Sequence, residues 1–451
     1  MRIVVVVACL LIQLCVGILY LWSVFNNAVT EHFGWNARSA SMVSSFMIFG
    51  FVLGNLIGGF LQDKTNPRLI SFVGCFMFCL GIFLTSLLTE KTVALIYLTY
   101  SGLGGLGCGF AYGCVLSCLQ KWFPDNRGFA SGLSVSAFGL STVLFGPVAQ
   151  TLLNRLGVPH TFMTLAGVFL LATMTACCFV RLPPRVQSVE NQNKPAQLAE
   201  GLTPLRTMRL FPFWCIALSC FFINATWNIV VPVIKSLGME RGLSESIAVL
   251  AVSITGIANA AGRLGMATAS DKIGRTNTII FLAALTAVCA VALIWAQGVF
   301  YVTVIALTAF AYGGPSATFP AMTTDISGAR FSGTNYGIAM LGLGFSSVVF
   351  NWLSGLLVEA TGGFSASFIL AAATCVPPII LMLVYRKTAK KLPEKTNGLH
   401  KGDRFFVALF LFFICQAAFL ASTDLRRKNL TTAGHLSINI ATTVLSSSQN
   451  H

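Results

Sequence analysis

IANAAGRLGMATASDKIGR, residues 257–275, decides how this chain is read. It starts inside an apolar run, ends in a charged turn, and sets a lone cation, Arg263, well within that run. An arginine at the centre of a bilayer helix costs at least ~2.5–3.5 kcal/mol, so it persists where it has a partner or a task. The stretch therefore reads as a membrane-spanning helix with a demand for an anion built into it. Two turns beyond the arginine, Asp271-Lys272-Ile273-Gly274-Arg275 closes the helix.

The surroundings agree. Of 451 residues, 55% are hydrophobic and only 10% charged, and the mean hydropathy is +0.79. That is the composition of a polytopic membrane protein. A net charge of +15 would suit nucleic acid, but the basic residues sit in short loops between apolar runs, where positive-inside topology puts them. Nucleic acid is thereby excluded as a partner. The 14 cysteines are scattered singly, apart from Cys177-Cys178, with neither metal-ligand spacing nor a disulfide framework. They read as small buried hydrophobes, and neither metal nor cofactor is expected. No nucleophile–base set stands out, so the chain is not expected to be an enzyme.

Twelve apolar runs are long enough to span a bilayer as helices: about 3–25, 39–61, 69–88, 93–119, 129–153, 162–180, 211–234, 247–269, 278–296, 300–322, 336–358 and 364–385. The first is too long for a signal peptide and lacks a cleavage site, so it counts as span one. With the N-terminus inside, inner loops hold about twelve lysines and arginines and outer loops about five, which puts both ends of the core in the cytoplasm. A polar segment with Pro183, Pro184, Pro195 and Pro204 divides the spans into two sets of six. The expected domains are 1–180, a cytoplasmic linker 181–210, a second bundle 211–386, and a tail 387–451. The two sets repeat one another. A shift of 208 positions lays Gly34 on Gly242, Gly54 on Gly262, Asp63 on Asp271 and Lys64 on Lys272. Phe110-Ala111-Tyr112-Gly113 recurs as Phe310-Ala311-Tyr312-Gly313. Parallel repeats of this kind place a substrate site at the midplane, between the halves. The same shift sets Asn55 opposite Arg263, an amide against a cation.

Gly59-Phe60-Leu61-Gln62-Asp63-Lys64, with Arg68 beyond, resembles the loop motif after the second span of the major facilitator superfamily. Ser270-Asp271-Lys272-Ile273-Gly274-Arg275 resembles its second copy, although Ala267 stands where that motif usually begins with glycine. More narrowly, the chain resembles the oxalate/formate antiporter family over roughly residues 1–386. The segments that carry this are Tyr20-Leu21-Trp22-Ser23-Val24-Phe25, Lys121-Trp122-Phe123-Pro124-Asp125-Asn126-Arg127-Gly128, Tyr312-Gly313-Gly314 and Asn335-Tyr336-Gly337. The resemblance implies an all-α membrane protein of twelve transmembrane helices, arranged as two pseudo-symmetric six-helix bundles. It also implies carriage of a small organic anion by alternating access.

Arg263 leads the candidate binding residues, because a guanidinium stays charged and grips a carboxylate with two parallel bonds. The competing reading is a structural arginine tied to helix carbonyls. Asn259 lies one turn before it on the same face. Tyr20, Trp22, Tyr112 and Tyr312 fall in the spans that line the central cavity in this superfamily, and Asn228 is a further candidate in span seven. Trp22 could equally be an interfacial anchor, and a buried amide such as Asn228 often only bridges helices. Two departures from the relatives bear on cargo. Related proton-coupled monocarboxylate transporters carry an aspartate where Asn259 stands, and no Asp or Glu lies deep in any span, so exchange or facilitated diffusion is expected over proton symport. Oxalate-carrying relatives place a lysine where Leu343 stands. With one buried cation, a dianion would leave a charge uncompensated at a cost of several kcal/mol, so a monocarboxylate the size of formate, lactate or pyruvate is expected. The rival readings are a proton-coupled monocarboxylate symporter and a non-transporting carboxylate sensor.

Asp63 and Asp271, at equivalent helix ends, are assigned to gating together with Arg68, Arg127, Arg275 and Arg330. Each aspartate can face a helix N-terminus or an arginine from the other half, the pairs considered being Arg127 with Asp271 and Arg330 with Asp63. A monomer in the plasma membrane is expected, with an organelle membrane as the alternative. The tail carries an apolar run at 405–422, followed by Arg426-Arg427-Lys428 and the sequon Asn429-Leu430-Thr431. It reads as an interfacial appendage, since a thirteenth span would put the basic cluster outside.

Overall fold

The computed structural model describes residues 2–183 and 201–389, except residue 36 and the side chains of Tyr20, Ser23, Asn27, residues 37–41, Ser45, Pro232, Glu245 and Val249. The tail run at 405–422 and its sequon lie outside the described residues.

Regular structure among the described residues is helical throughout. Span one runs through Arg2–Val16, a 3-10 turn at Gly17–Leu21, and Trp22–Phe33. Span two is Ala37–Lys64 and span three Pro67–Ser86, the latter capped by the Asn66 side chain. Span four joins a π-helical stretch, Tyr97–Gly104, to Gly105–Trp122. Arg127–Cys177 holds spans five and six as one 51-residue stretch. Such a helix would be about 77 Å long if unbroken, far more than a bilayer core needs. It breaks at Gly157, where φ is 73° and ψ 178°, a backbone setting open essentially to glycine alone. Span seven runs through Phe211–Ile223, Ala225–Val230 and Ile234–Glu240. Span eight is Glu245–Ile273, span nine Arg275–Ala292, span ten Gly298–Ser327 and span eleven Ser332–Thr361. Span twelve comprises Ser365–Ala373 and Val376–Ala389.

The repeat seen in sequence has a backbone counterpart. Gly34 and Gly242 both take positive φ, 58° and 86°, as the chain leaves spans one and seven. Span four uses its glycines to pack backbone against backbone. A Cβ on Gly105 would come within 2.8 Å of the Met47 carbonyl in span two, and one on Gly81 of span three within 2.6 Å of the Gly104 nitrogen. Without a hydrophobic drive between helices in lipid, close contact of this kind is what holds such a bundle together. The two sets of six meet along two seams, span two against span eleven and span five against span eight. Of the described cysteines all but Cys178 are buried.

The ends of the segment between the sets are tied down. Trp122 Nε1 donates to the Arg181 carbonyl at 2.7 Å. Leu202 donates its N–H to Ser327 at 2.6 Å, and Asn335 donates to the Leu202 carbonyl at 3.2 Å.

Candidate functional site

Span eight places Arg263 on the seam with span five, 3% exposed. The close approach of span ten on its other side depends on Gly313: a Cβ there would lie 2.9 Å from the Arg263 nitrogen and 3.2 Å from its Cγ. The guanidinium crosses to the opposite half, Nη1 donating to the Val135 carbonyl at 2.8 Å. Its Nε is buried with no hydrogen-bond partner among the described residues. The acceptor is itself a helix carbonyl, as a structural arginine would have it, while Nε is left over among the described residues.

Arg263 lines a cavity of about 30 Å³ between the halves. A water needs roughly 10–15 Å³, so the space as it stands has room for about two or three waters. The wall is largely aromatic: Phe51, Tyr112 and Phe138 from the first half, Tyr312, Phe319 and Tyr336 from the second. Tyr112 packs edge-on against Phe51 and Phe138, each with centroids 5.1 Å apart, and Tyr312 stacks on Trp227 at 4.9 Å. Asn224 and Ser316 add polar groups to the lining, and Val135, Met340 and Leu343 add apolar ones. No aspartate or glutamate lines this cavity among the described residues.

The structure sorts the sequence candidates. Arg263, Tyr112 and Tyr312 come together at the cavity. Asn259 is buried, its Oδ1 without a partner among the described residues, but stands back from the lining. Trp22 is neither at the cavity nor at an interface: it is buried at 4% exposure and packs on Tyr100 at 5.1 Å. Asn228 bridges helices, donating to Ser346 at 3.2 Å. The Tyr20 side chain lies outside the described residues. Asn224, Ser316 and Tyr336 were not anticipated. Asn224 sits at a break in span seven that no glycine or proline announces, and Tyr336 belongs to a motif that carried the family resemblance without a role.

At the end of the bundle that holds both aspartate loops, the halves are fastened. Asp271 accepts N–H bonds from Gly128 and Phe129, at 2.9 and 2.8 Å, at the N-terminus of span five. Asp63 accepts both the N–H and the hydroxyl of Thr334, at 2.9 and 2.7 Å, at the N-terminus of span eleven. Each carboxylate thus meets the positive end of a helix from the other half. The arginine pairs considered from sequence form differently. Arg127 pairs with Asp325, 3.0 Å away, while Asp271 takes the N–H groups of Gly128 and Phe129 and, as its arginine, Arg275. Arg330 lies over the Phe331 ring at 5.3 Å, while Thr334 takes Asp63 Oδ2 and leaves Oδ1 buried without a hydrogen-bond partner among the described residues. Arg275 bridges Asp271 at 2.7 Å and Asp325 at 2.8 Å. Arg68 is exposed on the first turn of span three. Uncharged contacts join the halves here as well, Ser117 with Ser332 at 2.7 Å and Thr324 donating to Gln120 at 2.7 Å. At the opposite end a cavity of about 790 Å³ separates spans one and five from span seven, lined by Glu31, His32, Gln150, Asn154 and Lys235 among others.

Comparisons with known proteins speak to the family and the fold. The family model described as Major Facilitator Superfamily matches residues 5–340 and 218–447. The chain is 28% identical to the oxalate:formate antiporter of Oxalobacter formigenes over 86% of its own length and 94% of that protein. It is 25% identical to monocarboxylate transporter 13 of Bos taurus, over 79% of the chain and 82% of the relative. Among solved structures, the proton:xylose symporter XylE superposes with a TM-score of 0.67 at 15% identity, covering 87% of this chain and 98% of that one. That last likeness concerns the fold alone.

Proposed function

Since the chain belongs to the Major Facilitator Superfamily and is a multi-pass membrane transporter, we propose that it carries a small monocarboxylate by exchange or facilitated diffusion. Arg263 binds the carboxylate, Tyr112 and Tyr312 shape the pocket, Asn259 supports from one turn away, and the Asp63 and Asp271 contacts close one end while the other admits substrate. The observation that carries this reading is a guanidinium 3% exposed, lining the cavity between the halves and keeping a buried Nε without a hydrogen-bond partner among the described residues. A carboxylate supplies the missing acceptor and the missing charge together. Leu343 on the cavity wall leaves Arg263 as the lining cation, and one cation balances one negative charge. The relatives named for oxalate:formate exchange and for monocarboxylate transport support the same class. The carrier works as a monomer in the plasma membrane, with the fastened end facing the cytoplasm.

The test is counterflow of labelled formate, pyruvate, lactate and oxalate in proteoliposomes, with and without Arg263→Gln. Formate-class uptake that survives the substitution undiminished would remove Arg263 from the mechanism.

A further inference from the structure

Arg263 belongs to span eight, but what holds its guanidinium comes from span five, in the other half. Nη1 is anchored on the Val135 carbonyl at 2.8 Å. One turn along, Gly139 lies flat against the same group: a Cβ there would come within 2.9 Å of Nη1 and 3.2 Å of Cζ. Span five also yields to the backbone of span eight. A Cβ on Gly132 would stand 2.8 Å from the Arg263 carbonyl, and Ser136 donates to the Ala260 carbonyl at 3.0 Å. With Nη1 occupied and Nε unpartnered among the described residues, the fork keeps its Nε–Nη2 edge, the pair of parallel donors that a carboxylate needs.

We propose that the Val135 carbonyl and the notch at Gly139 form a seat that turns the guanidinium so that its Nε–Nη2 edge receives the substrate. Gly139 is thereby a positioning residue for carboxylate binding. The inference rests on the reading of Arg263 as the carboxylate ligand. Seat and arginine lie on opposite halves, so the binding edge is assembled only while spans five and eight are packed together, the same two spans that Asp271 fastens at their end.

Formate affinity, read from ligand-induced thermal shifts of the full chain in detergent, tests this in four proteins: the parent, Gly139→Ala, Arg263→Lys and the double variant. The atoms a new Cβ would meet are the far end of a flexible side chain, so Gly139→Ala folds and moves the guanidinium instead. It weakens formate binding about tenfold with Arg263 present, and less than about twofold beside Arg263→Lys, because an ammonium has no edge to turn. An equal loss in both backgrounds, or none with Arg263 present, overturns the seat. Should Gly139→Ala not fold, Ser136→Ala loosens span five from span eight without added bulk, and an affinity loss of about threefold confined to the Arg263 background is expected. Unchanged formate binding by Arg263→Gln is a separate outcome, which fails the carboxylate reading itself.

Discussion

The two seams between the halves are built alike and charged differently. Span two meets span eleven through Gly59 and Gly333, and span five meets span eight through Gly128 and Gly132. Halfway along each, a buried polar residue reaches across. Asn55 donates to the Met340 sulfur at 3.2 Å, and Arg263 to the Val135 carbonyl at 2.8 Å. Even the glycine against which each packs is equivalent, Gly113 for Asn55 and Gly313 for Arg263. At the end, Asp63 and Asp271 each cap a helix from the other half. Yet the first seam is neutral at its midpoint, and its aspartate has Thr334 for partner. The second has a cation at its midpoint and a chain of Asp271, Arg275, Asp325 and Arg127 at its end. Repetition fixed where polar groups stand; the residues at those places gave one seam the charge. The buried cation and the ionic contacts at the end are consequently concentrated on the seam of spans five and eight, with spans nine and ten supplying Arg275 and Asp325.

The sharpest break is at the midpoints. Arg263→Gln lowers formate counterflow about 100-fold or more, the cost of losing one member of a buried charge pair. Asn55→Ala, its counterpart, lowers it about twofold, since a hydrogen bond to sulfur is weak. Equal losses would erase the distinction between the seams. A step smaller is the comparison of the ends. Asp271→Asn weakens contacts to two N–H groups and an arginine, Asp63→Asn contacts to one residue. Labelling of Ser332→Cys by an impermeant maleimide, applied from the fastened side, speeds up about tenfold in the first and about threefold in the second. The reverse order would show that the neutral seam holds the end shut. Leu343→Lys adds a second cation to the wall and is expected to raise oxalate affinity about tenfold while lowering that for formate a few-fold, measured by competition in counterflow. The smallest effects belong to Tyr112→Phe and Tyr312→Phe, which raise the KM for formate about two- to fivefold if a hydroxyl bonds the carboxylate. No change in either would leave the tyrosines as apolar wall.

Much of the architecture was legible because dehydration cost is a property of each residue. Twelve apolar runs gave twelve spans, although the separation of the fifth from the sixth rests in the structure on Gly157 alone, within one helical stretch. Arg263 stood out because a cation in an apolar run is costly wherever its neighbours lie. Its partner did not stand out, since the Val135 group that holds it is a backbone carbonyl, which every residue possesses. Trp22 looked like a cavity residue from its span and proved to belong to the packing around Tyr100. Asp271 was legible as a charge at a helix end, but its preference for N–H groups over Arg127 depends on how span five docks against it.

From the sequence alone came the membrane, the helical class, the duplication, and a cation that needs an anion, because hydropathy, charge and repeated spacing are carried along the chain itself. Which face of span eight meets span five, which tyrosines turn inward, and which aspartate gains an arginine were decided only in three dimensions. The reason is rotation: successive residues on a helix point about 100° apart, so a small difference in how two helices pack exchanges one partner for another without altering a single letter of the sequence.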